Sequence, residues 1–208
     1  IESLANYDLQ LAYYAPRTDK IRPYVKFGLA TGGYRTENSN INLRHETVNF
    51  GLGLILTTSS KIRASLNFFE FQKENNWEVF QRDNLFGYFD KKMITSGLDI
   101  DWFPGSNQEF RLKAFVYGIK ANNARAFEVN QLGYMSSSLE NVDDFQLSEI
   151  AFQIRYKYEF SPLSNLYVVY TRGGKSSGTL EDSFDGLYAN AWNNQVLDKL
   201  ILKIRYKF

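Results

Sequence analysis

Apolar and polar residues alternate along most of this chain. The last segment shows the pattern most clearly, because apolar or aromatic residues recur at every second position from Leu200 and positive charges occupy most positions between them. Successive side chains of a β-strand point to opposite faces, so a period of two predicts strands with one apolar and one polar face. The pattern predicts strands at 6–15, 22–32, 46–57, 61–73, 92–103, 108–120, 145–160, 164–173 and 197–208.

The connections between these strands alternate strictly between short and long. The short ones contain the Pro, Gly, Ser and Asn residues typical of tight turns, and they lie at 16–20, 57–61, 104–108 and 161–165. The long ones are polar and lie at 33–45, 74–91, 121–144 and 174–196. Outer-membrane barrels have short periplasmic turns and long external loops, so the alternation also predicts a periplasmic C-terminus.

The sequence therefore predicts an all-β protein, an antiparallel transmembrane β-barrel of the bacterial outer membrane. A soluble sandwich or a lipocalin-like barrel is the alternative, with the apolar faces packed in a core. Long strands and aromatic residues at strand ends favour the membrane barrel, because tilted spans need that length and aromatic girdles mark membrane interfaces. These aromatic residues are Tyr13, Trp102, Phe103, Phe160, Tyr206 and Phe208.

The odd number of strands bears on the domain organisation. Bacterial single-chain barrels have even strand numbers, and both of their termini usually lie in the periplasm. We therefore expect residues 1–208 to be the C-terminal portion of a larger barrel whose N-terminal strands precede this sequence. The alternative is a complete eight-stranded barrel in which one weak strand has been overcounted.

Composition and charge exclude several classes of function. Lys+Arg (24) and Asp+Glu (23) nearly cancel, which gives no polyelectrolyte signature for nucleic acid. The chain contains no Cys, and this excludes disulfides, thiol catalysis and cysteine-based zinc sites. Aromatic residues reach 16%, which suits pleated sheets. We expect no enzymatic activity, no cofactor and no metal site in this segment.

Three features suggest chemistry but have simpler interpretations. His45 is the only histidine, and a lipase-like site around it would need a partnered Ser, whereas no G-x-S-x-G motif is present. Asp99 and Asp101 suit Ca²⁺ through their oxygen ligands, but acids that offset nearby basic groups are the simpler interpretation. The acidic stretch 140–144 suits a divalent cation or a surface sugar, or it is a solvated loop.

The polar faces of the strands predict the lining of a lumen. A basic lumen would favour anions, whereas a dense ladder of ion pairs would plug a narrow pore. By parity, the basic residues that line it are Arg63, Arg111, Lys113, Arg155, Lys157, Lys203 and Arg205. The acidic residues that partly offset them are Asp99, Asp101 and Glu159.

Two stretches resemble a known bacterial family. They are DWFPGSNQEFRLKAFVYGIKA (101–121) and FQIRYKYEFSPLSNLYVVYTRGG (152–174), followed by LDKLILKIRYKF. They resemble the C-terminal barrel of proteins described as carbohydrate-binding family 9 domain-containing proteins, or domain of unknown function 5916. The resemblance implies a sugar-binding-like β-sandwich ahead of an outer-membrane barrel. That sandwich is absent from this sequence, so no ligand-binding residue of the family is carried over.

The last strand also resembles the sorting signal that the barrel-assembly machinery reads. That signal has apolar residues at alternating positions and a final aromatic residue. A free strand edge is read by β-augmentation, in which it pairs with the edge of the assembly protein. The matching residues are Leu200, Leu202, Ile204, Tyr206 and Phe208.

Taken together, the sequence predicts an integral outer-membrane protein that contacts lipid and, during biogenesis, the assembly machinery. The first hypothesis is a porin-like channel for small polar or anionic solutes or oligosaccharides. The alternative is a non-conducting membrane anchor for a glycan-binding domain, or a structural subunit of an outer-membrane complex with other subunits as partners. A hydrolase around His45 is the hypothesis that the sequence supports least.

Overall fold

The computed structural model describes residues 2–3, 6–17, 20–35, 42–178 and 183–207. Phe208 and parts of the predicted connections 16–20, 33–45 and 174–196 lie outside the described residues. One helix, α1 (Phe184–Asn193), accompanies the strands of the described part. Those strands are β1 (Glu2–Ser3), β2 (Tyr7–Tyr14), β3 (Ile21–Arg35), β4 (Asn42–Ser59), β5 (Ile62–Arg82), β6 (Leu85–Gly105), β7 (Gln108–Val129), β8 (Met135–Ser137), β9 (Phe145–Ser161), β10 (Ser164–Gly178) and β11 (Gln195–Arg205).

All of these strands belong to one antiparallel sheet. Its order is β1-β3-β4-β5-β6-β7-β9-β10-β11, while β2 also pairs with β3 and β8 with β7. The prediction of an all-β antiparallel protein is confirmed. The sheet is open, however, because closure into a barrel requires the two edges to pair, and β2 and β11 do not pair with each other.

Each predicted strand coincides with an observed strand, but most of the strands run further than predicted at the end away from the short turns. β5 and β6 meet at Asp83 and Asn84, so the predicted loop 74–91 is wrong. β7 likewise continues to Val129, into the predicted loop 121–144. Aromatic residues occupy both faces of these strand ends, and the alternation that marks a half-buried strand is therefore lost.

Two β-bulges add to this loss of alternation. Asn76 in β5 and Asn123 in β7 have positive φ values of 57° and 56°, a conformation that Asn tolerates better than most residues. The pairing of β6 shifts register beside both of them, between Glu74 and Trp77 in β5 and opposite Asn123 in β7. A bulge inserts an extra residue, so the parity that identifies each face changes along these two strands.

The register separates the sheet into two chemically different faces. Directly opposite residues of an antiparallel pair point to the same side, so the apolar sets of neighbouring strands join into one surface, the apolar face. The polar sets join into the ionic face, which contains Arg63, Asp99, Asp101, Arg111, Lys113, Arg155 and Lys157. The exposed part of the apolar face comprises Tyr7, Leu9, Leu11, Tyr13, Val25, Phe27, Leu29, Val48, Phe50, Leu52, Leu200, Leu202 and Ile204.

Helix α1 packs on the apolar face near the end away from the short turns. Ser183 caps the helix by accepting a hydrogen bond from the Gly186 amide. Leu187 and Ala191, four residues apart, are fully buried. Ser148 of β9 donates its hydroxyl to the Leu187 carbonyl at 2.8 Å. Among the described residues, α1 is the one helix, and its 10 residues are too few to span a membrane.

The helix corrects the prediction that 174–196 is a loop throughout. Its position depends on two glycines of the apolar face that lie in β7 and β10. A Cβ atom at Gly118 would stand 2.8 Å from the Tyr188 ring, and one at Gly174 would stand 1.9 Å from the Ala191 carbonyl oxygen. Only residues without a side chain allow the helix to approach the sheet this closely.

We expect Gly174→Ala to destabilise the docking of α1, because the new methyl group would overlap a backbone oxygen that a rotamer change cannot move. The expected loss is about 1–3 kcal/mol of unfolding free energy, measured by denaturant unfolding, with faster proteolysis at the helix. Gly173→Ala is the matched control, since a Cβ atom there would meet its nearest neighbours only at 3.7 Å. Equal effects of the two substitutions would contradict the packing described for α1.

The buried hydroxyl of Tyr188 indicates that the docking of α1 on the sheet depends on pH. Its hydroxyl donates to the Ile94 carbonyl at 3.1 Å, and burial together with the negative charge of Asp185 raises the pKa of Tyr188 to about 12. An unfolded tyrosine ionises near pH 10, so this contribution to stability is complete below about pH 10 and is lost as the pH rises towards 12. We expect the stability difference between the wild type and Tyr188→Phe to narrow over that range. A difference that stays constant would refute the prediction.

Candidate functional site

Two rows of polar side chains cross the ionic face at the end with the short turns. In the first row, the successive Cα partners in β5, β6, β7 and β9 are Arg63, Asp101, Arg111 and Arg155. The second row continues through β10 to β11 and consists of Ser65, Asp99, Lys113, Gln153, Thr171 and Lys199. The sheet thus brings together the predicted lining residues Arg63, Arg111, Lys113, Arg155, Asp99 and Asp101, which are far apart in the sequence.

Glu109 organises the first row. Its carboxylate accepts a hydrogen bond from Arg155 at 2.8 Å and lies 2.5 Å from Nε of Arg111. The same Nε lies 3.3 Å from Asp101. The predicted acidic set did not include Glu109, although its parity with Arg111 and Lys113 on β7 would have revealed it. Arg111 and Arg155 therefore belong to a compensated ion-pair network rather than standing as unpaired cations.

The second row borders a groove of about 540 Å³ whose lining also includes apolar residues such as Leu98, Phe115 and Phe152. Lys113 and Asp99 form an ion pair of 2.7 Å within it, and both side chains are about half exposed. Gln153 donates to the Thr171 hydroxyl at 3.3 Å. Apart from one ion pair, the polar groups of the groove are hydroxyls and amides, contributed by Ser65, Asn67, Gln153 and Thr171. Such a lining offers hydrogen bonds to a hydrated, uncharged solute.

The other predicted lining residues lie near the short turns. Within the described part of the chain, Lys157, Lys203 and Arg205 form no ion pair, and Lys157 and Lys203 both stand opposite Tyr167. Glu159 accepts a hydrogen bond from the Leu163 amide at 3.0 Å and so stabilises the turn between β9 and β10. These three basic groups therefore remain available to an anion or to water.

An aromatic cluster covers the far end of the ionic face. Lys91 and Glu74, directly opposite in β6 and β5, form a largely buried ion pair of 2.5 Å. The Lys91 ammonium also lies 4.9 Å from the Trp77 ring centre. Phe89 and Phe145 pack against the Trp77 ring, and Phe89 is fully buried. The register of β6 and β7 places Lys91 on the same face as Asp99, so the ionic face ends in this apolar cover.

The remaining candidate residues are separate from these rows. His45 lies in β4 opposite Gly32. In the acidic stretch, Asp143 accepts a hydrogen bond from Asn141, and Asp144 accepts one from the Ala124 amide. Among the described residues, no group of three or more His, Cys, Asp or Glu side chains is placed to hold a metal ion.

The residues that resemble the assembly signal lie on and just beyond β11. Leu200, Leu202, Ile204 and Tyr206 are exposed, whereas Phe208 lies outside the described residues. Among the described strands, β11 pairs only with β10, and its other backbone edge is open.

Comparison with known families gives one match. A family model described as "Domain of unknown function (DUF5916)" matches residues 18–208. The match supports the resemblance to domain of unknown function 5916 drawn from 101–121 and 152–174 and extends it over most of the chain. Comparison with curated proteins gives no match.

We expect Glu109→Gln to destabilise the sheet, because it leaves Arg111 and Arg155 without the carboxylate that both contact. The side chains involved are partly exposed, so the expected loss is about 1–2 kcal/mol, measured by thermal or denaturant unfolding at low salt. Asp99→Asn is the matched comparison, since its more exposed pair with Lys113 should contribute less. A larger loss from Asp99→Asn would show that Glu109 does not organise the row.

Proposed function

This chain belongs to the DUF5916 family, and on that premise we propose that its sheet forms part of the wall of a transmembrane β-barrel in the bacterial outer membrane. In this proposal the apolar face contacts lipid and the ionic face lines an aqueous interior. Strands that pair with the open edges of β2 and β11 complete the wall. The barrel acts as a porin-like channel for small polar or anionic solutes or oligosaccharides.

The exposed apolar face is the observation that carries the proposal. On β2, β3 and β4, the exposed apolar residues form a continuous surface that no described part of the chain covers. Water-soluble monomers rarely expose contiguous apolar patches of more than a few hundred Å². A soluble sandwich would pack such rows against a second sheet, and all the described strands belong to one sheet. A lipid environment accounts for the exposure of these rows.

The height of the apolar face fits a membrane. Along β6 it runs from Trp102 near the short turns to Lys92, a separation of ten residues. That separation is about 33 Å along a strand, or about 25 Å along the membrane normal at the usual strand tilt. Trp102 pairs with Ile62 and Phe110, and Phe110 pairs with Tyr156. Aromatic and apolar residues therefore mark the boundary of the apolar face near the short turns. Lys92 marks the boundary of the apolar face at the end away from the short turns.

The polar residues that border the groove of the second row favour transport. Their hydroxyl and amide groups suit sugars and other hydrated solutes, while Lys157, Lys203 and Arg205 would attract anions near the end with the short turns. The aromatic cluster over Lys91 and Glu74 favours the second candidate, because an apolar cover on the lumen side would restrict passage. In that case the barrel is a non-conducting anchor for a glycan-binding domain or a structural subunit of an outer-membrane complex.

Two features of β11 fit the proposed partners. The exposed residues Leu200, Leu202, Ile204 and Tyr206 present apolar side chains at alternating positions towards lipid. The open backbone edge of the strand suits pairing with the barrel-assembly machinery by β-augmentation. Both features support an integral outer-membrane location with a periplasmic C-terminus.

Spin labels at neighbouring positions of β4 test the orientation of the two faces. The chain has no Cys, so Phe50→Cys and Asn49→Cys each give one labelling site on opposite faces of the same strand. In protein reconstituted in lipid, we expect the label at position 50 to be accessible to oxygen and the label at 49 to a water-soluble nickel complex. The reverse pattern, or water access at both positions, would refute the membrane assignment.

Conductance in planar bilayers separates the channel from the anchor. A channel lined by the ionic face should give a steady open-pore current, and the triple variant Lys157→Gln, Lys203→Gln, Arg205→Gln should reduce any preference for anions because it removes three positive charges. When the measurement is made on protein that includes the strands completing the wall, insertion without current would support the anchor and contradict the channel.

A further inference from the structure

A third row of the ionic face contains one exposed aromatic side chain among small residues. Its successive Cα partners in β5, β6, β7, β9 and β10 are Asn67, Gly97, Phe115, Ala151 and Gly173. The exposed fraction of Phe115 is 47%. Because Gly97 and Ala151 on either side of it have little or no side chain, the neighbouring strands do not enclose the Phe115 ring.

Contacts with Gly97 and Tyr117 set the position of this ring. Its Cδ2 atom lies 3.8 Å from the place that a Cβ atom at Gly97 would occupy, so the ring lies close to β6. Tyr117 follows two residues along β7, and the two ring centres are 5.8 Å apart. The Tyr117 hydroxyl donates to Glu149 at 3.0 Å and is thereby fixed. Among the described residues, Tyr117 is the one aromatic side chain in ring contact with Phe115.

Polar side chains border the Phe115 ring in both directions along the strands. The second row lies two residues nearer the short turns, and another row lies two residues further from them, each at a distance of about 7 Å along the strand. The nearest polar residues are Asp99, Lys113, Gln153 and Thr171 in the second row, and Thr95, Tyr117, Glu149 and Lys175 in the other. A ligand that covers Phe115 therefore reaches hydrogen-bonding groups at both of its edges.

The charges nearest to Phe115 compensate one another. Lys113 and Asp99 form an ion pair of 2.7 Å, and Glu149 stands directly opposite Lys175 of β10. Such an arrangement does not select an ion, because the attraction from charges of one sign is offset by charges of the other. The ligand that suits these surroundings is uncharged, with an apolar surface for the ring and hydroxyl groups at its edges.

We propose that Phe115 and the groove beside it bind a pyranose ring of a neutral oligosaccharide. The C–H groups of one face of the sugar lie on Phe115, since the face of an aromatic ring is partly negative and attracts them. The sugar hydroxyls bind Gln153, Thr171 and the pair of Lys113 and Asp99. The groove volume of about 540 Å³ is within the range of small-molecule sites. The inference rests on the proposed function and names the solute class that meets the ionic face.

A neutral oligosaccharide fits this site better than an acyl chain does. An acyl chain over Phe115 would separate the amide of Gln153 and the hydroxyl of Thr171 from water without replacing their hydrogen bonds, which costs free energy. The hydroxyl groups of a sugar both donate and accept hydrogen bonds, so they satisfy the amide, the hydroxyl and the two charged groups together.

Titration with neutral oligosaccharides tests the proposal. Maltohexaose and cellohexaose are titrated at millimolar concentration into the protein, including the strands that complete the wall, in detergent micelles, and the heat of binding is measured. We expect at least one of them to bind, and we expect sorbitol, which has hydroxyls but no ring, not to compete. Phe115→Ala should weaken binding about tenfold or more because it removes the apolar surface under the sugar. Phe115→Trp keeps an aromatic face and should retain binding.

Two further variants serve as control and as independent check. Phe50→Ala removes an exposed ring from the apolar face and should bind the sugar as the wild type does. Ala151→Leu keeps Phe115 but fills the space beside its ring, and it should weaken binding as well. The proposal is overturned if neither hexasaccharide binds, if Phe115→Ala binds as tightly as the wild type, or if sorbitol competes as well as the hexasaccharides.

The spin labels on β4 separate this inference from the proposed function. If the label at position 50 meets lipid and neither hexasaccharide binds, the sugar site alone is overturned. If the labels refute the membrane assignment, the proposed function is overturned, and the titrations of the wild type and the Phe115 variants decide the sugar site.

Discussion

The register of the antiparallel sheet is the constraint on which the rest of the structure depends. Because opposite residues point to the same side, one shift in pairing would exchange every apolar side chain of a strand for a polar one. From β3 to β11 the main pairings keep the parity of the two faces over most of their length, with shifts at a few bulges. The chemical separation of the faces follows from this regularity.

The side chains of the two faces are stabilised in different ways. The ionic face holds charges on neighbouring strands, and without partners those charges would repel one another. Glu109 between Arg111 and Arg155, and Asp99 beside Lys113, reduce that repulsion while leaving polar groups at the surface of a groove. Among the described residues, nothing covers the apolar face over β2 to β4, and contact with an apolar phase would stabilise it.

Helix α1 belongs to the region where the apolar face ends. There the sheet stops presenting only apolar side chains, and the helix covers Gly118, Ser148 and Gly174 with Leu187 and Ala191. Aromatic residues of the helix contact Lys120 and Arg172 of the sheet. This boundary combines apolar, aromatic and cationic groups.

The sequence by itself determined the strands and their faces, because the apolar–polar period of two is a local property of each segment. It also placed Arg111, Lys113 and Asp99 on one face, since parity along one strand carries over to its antiparallel partners. The tertiary structure alone decided the rest. The bulges at Asn76 and Asn123 interrupt the period, α1 depends on glycines distant in the sequence, and Lys73, Lys92 and Lys120 become neighbours only through pairing between strands. Contacts of this kind depend on which residues stand opposite one another, and no single segment contains that information.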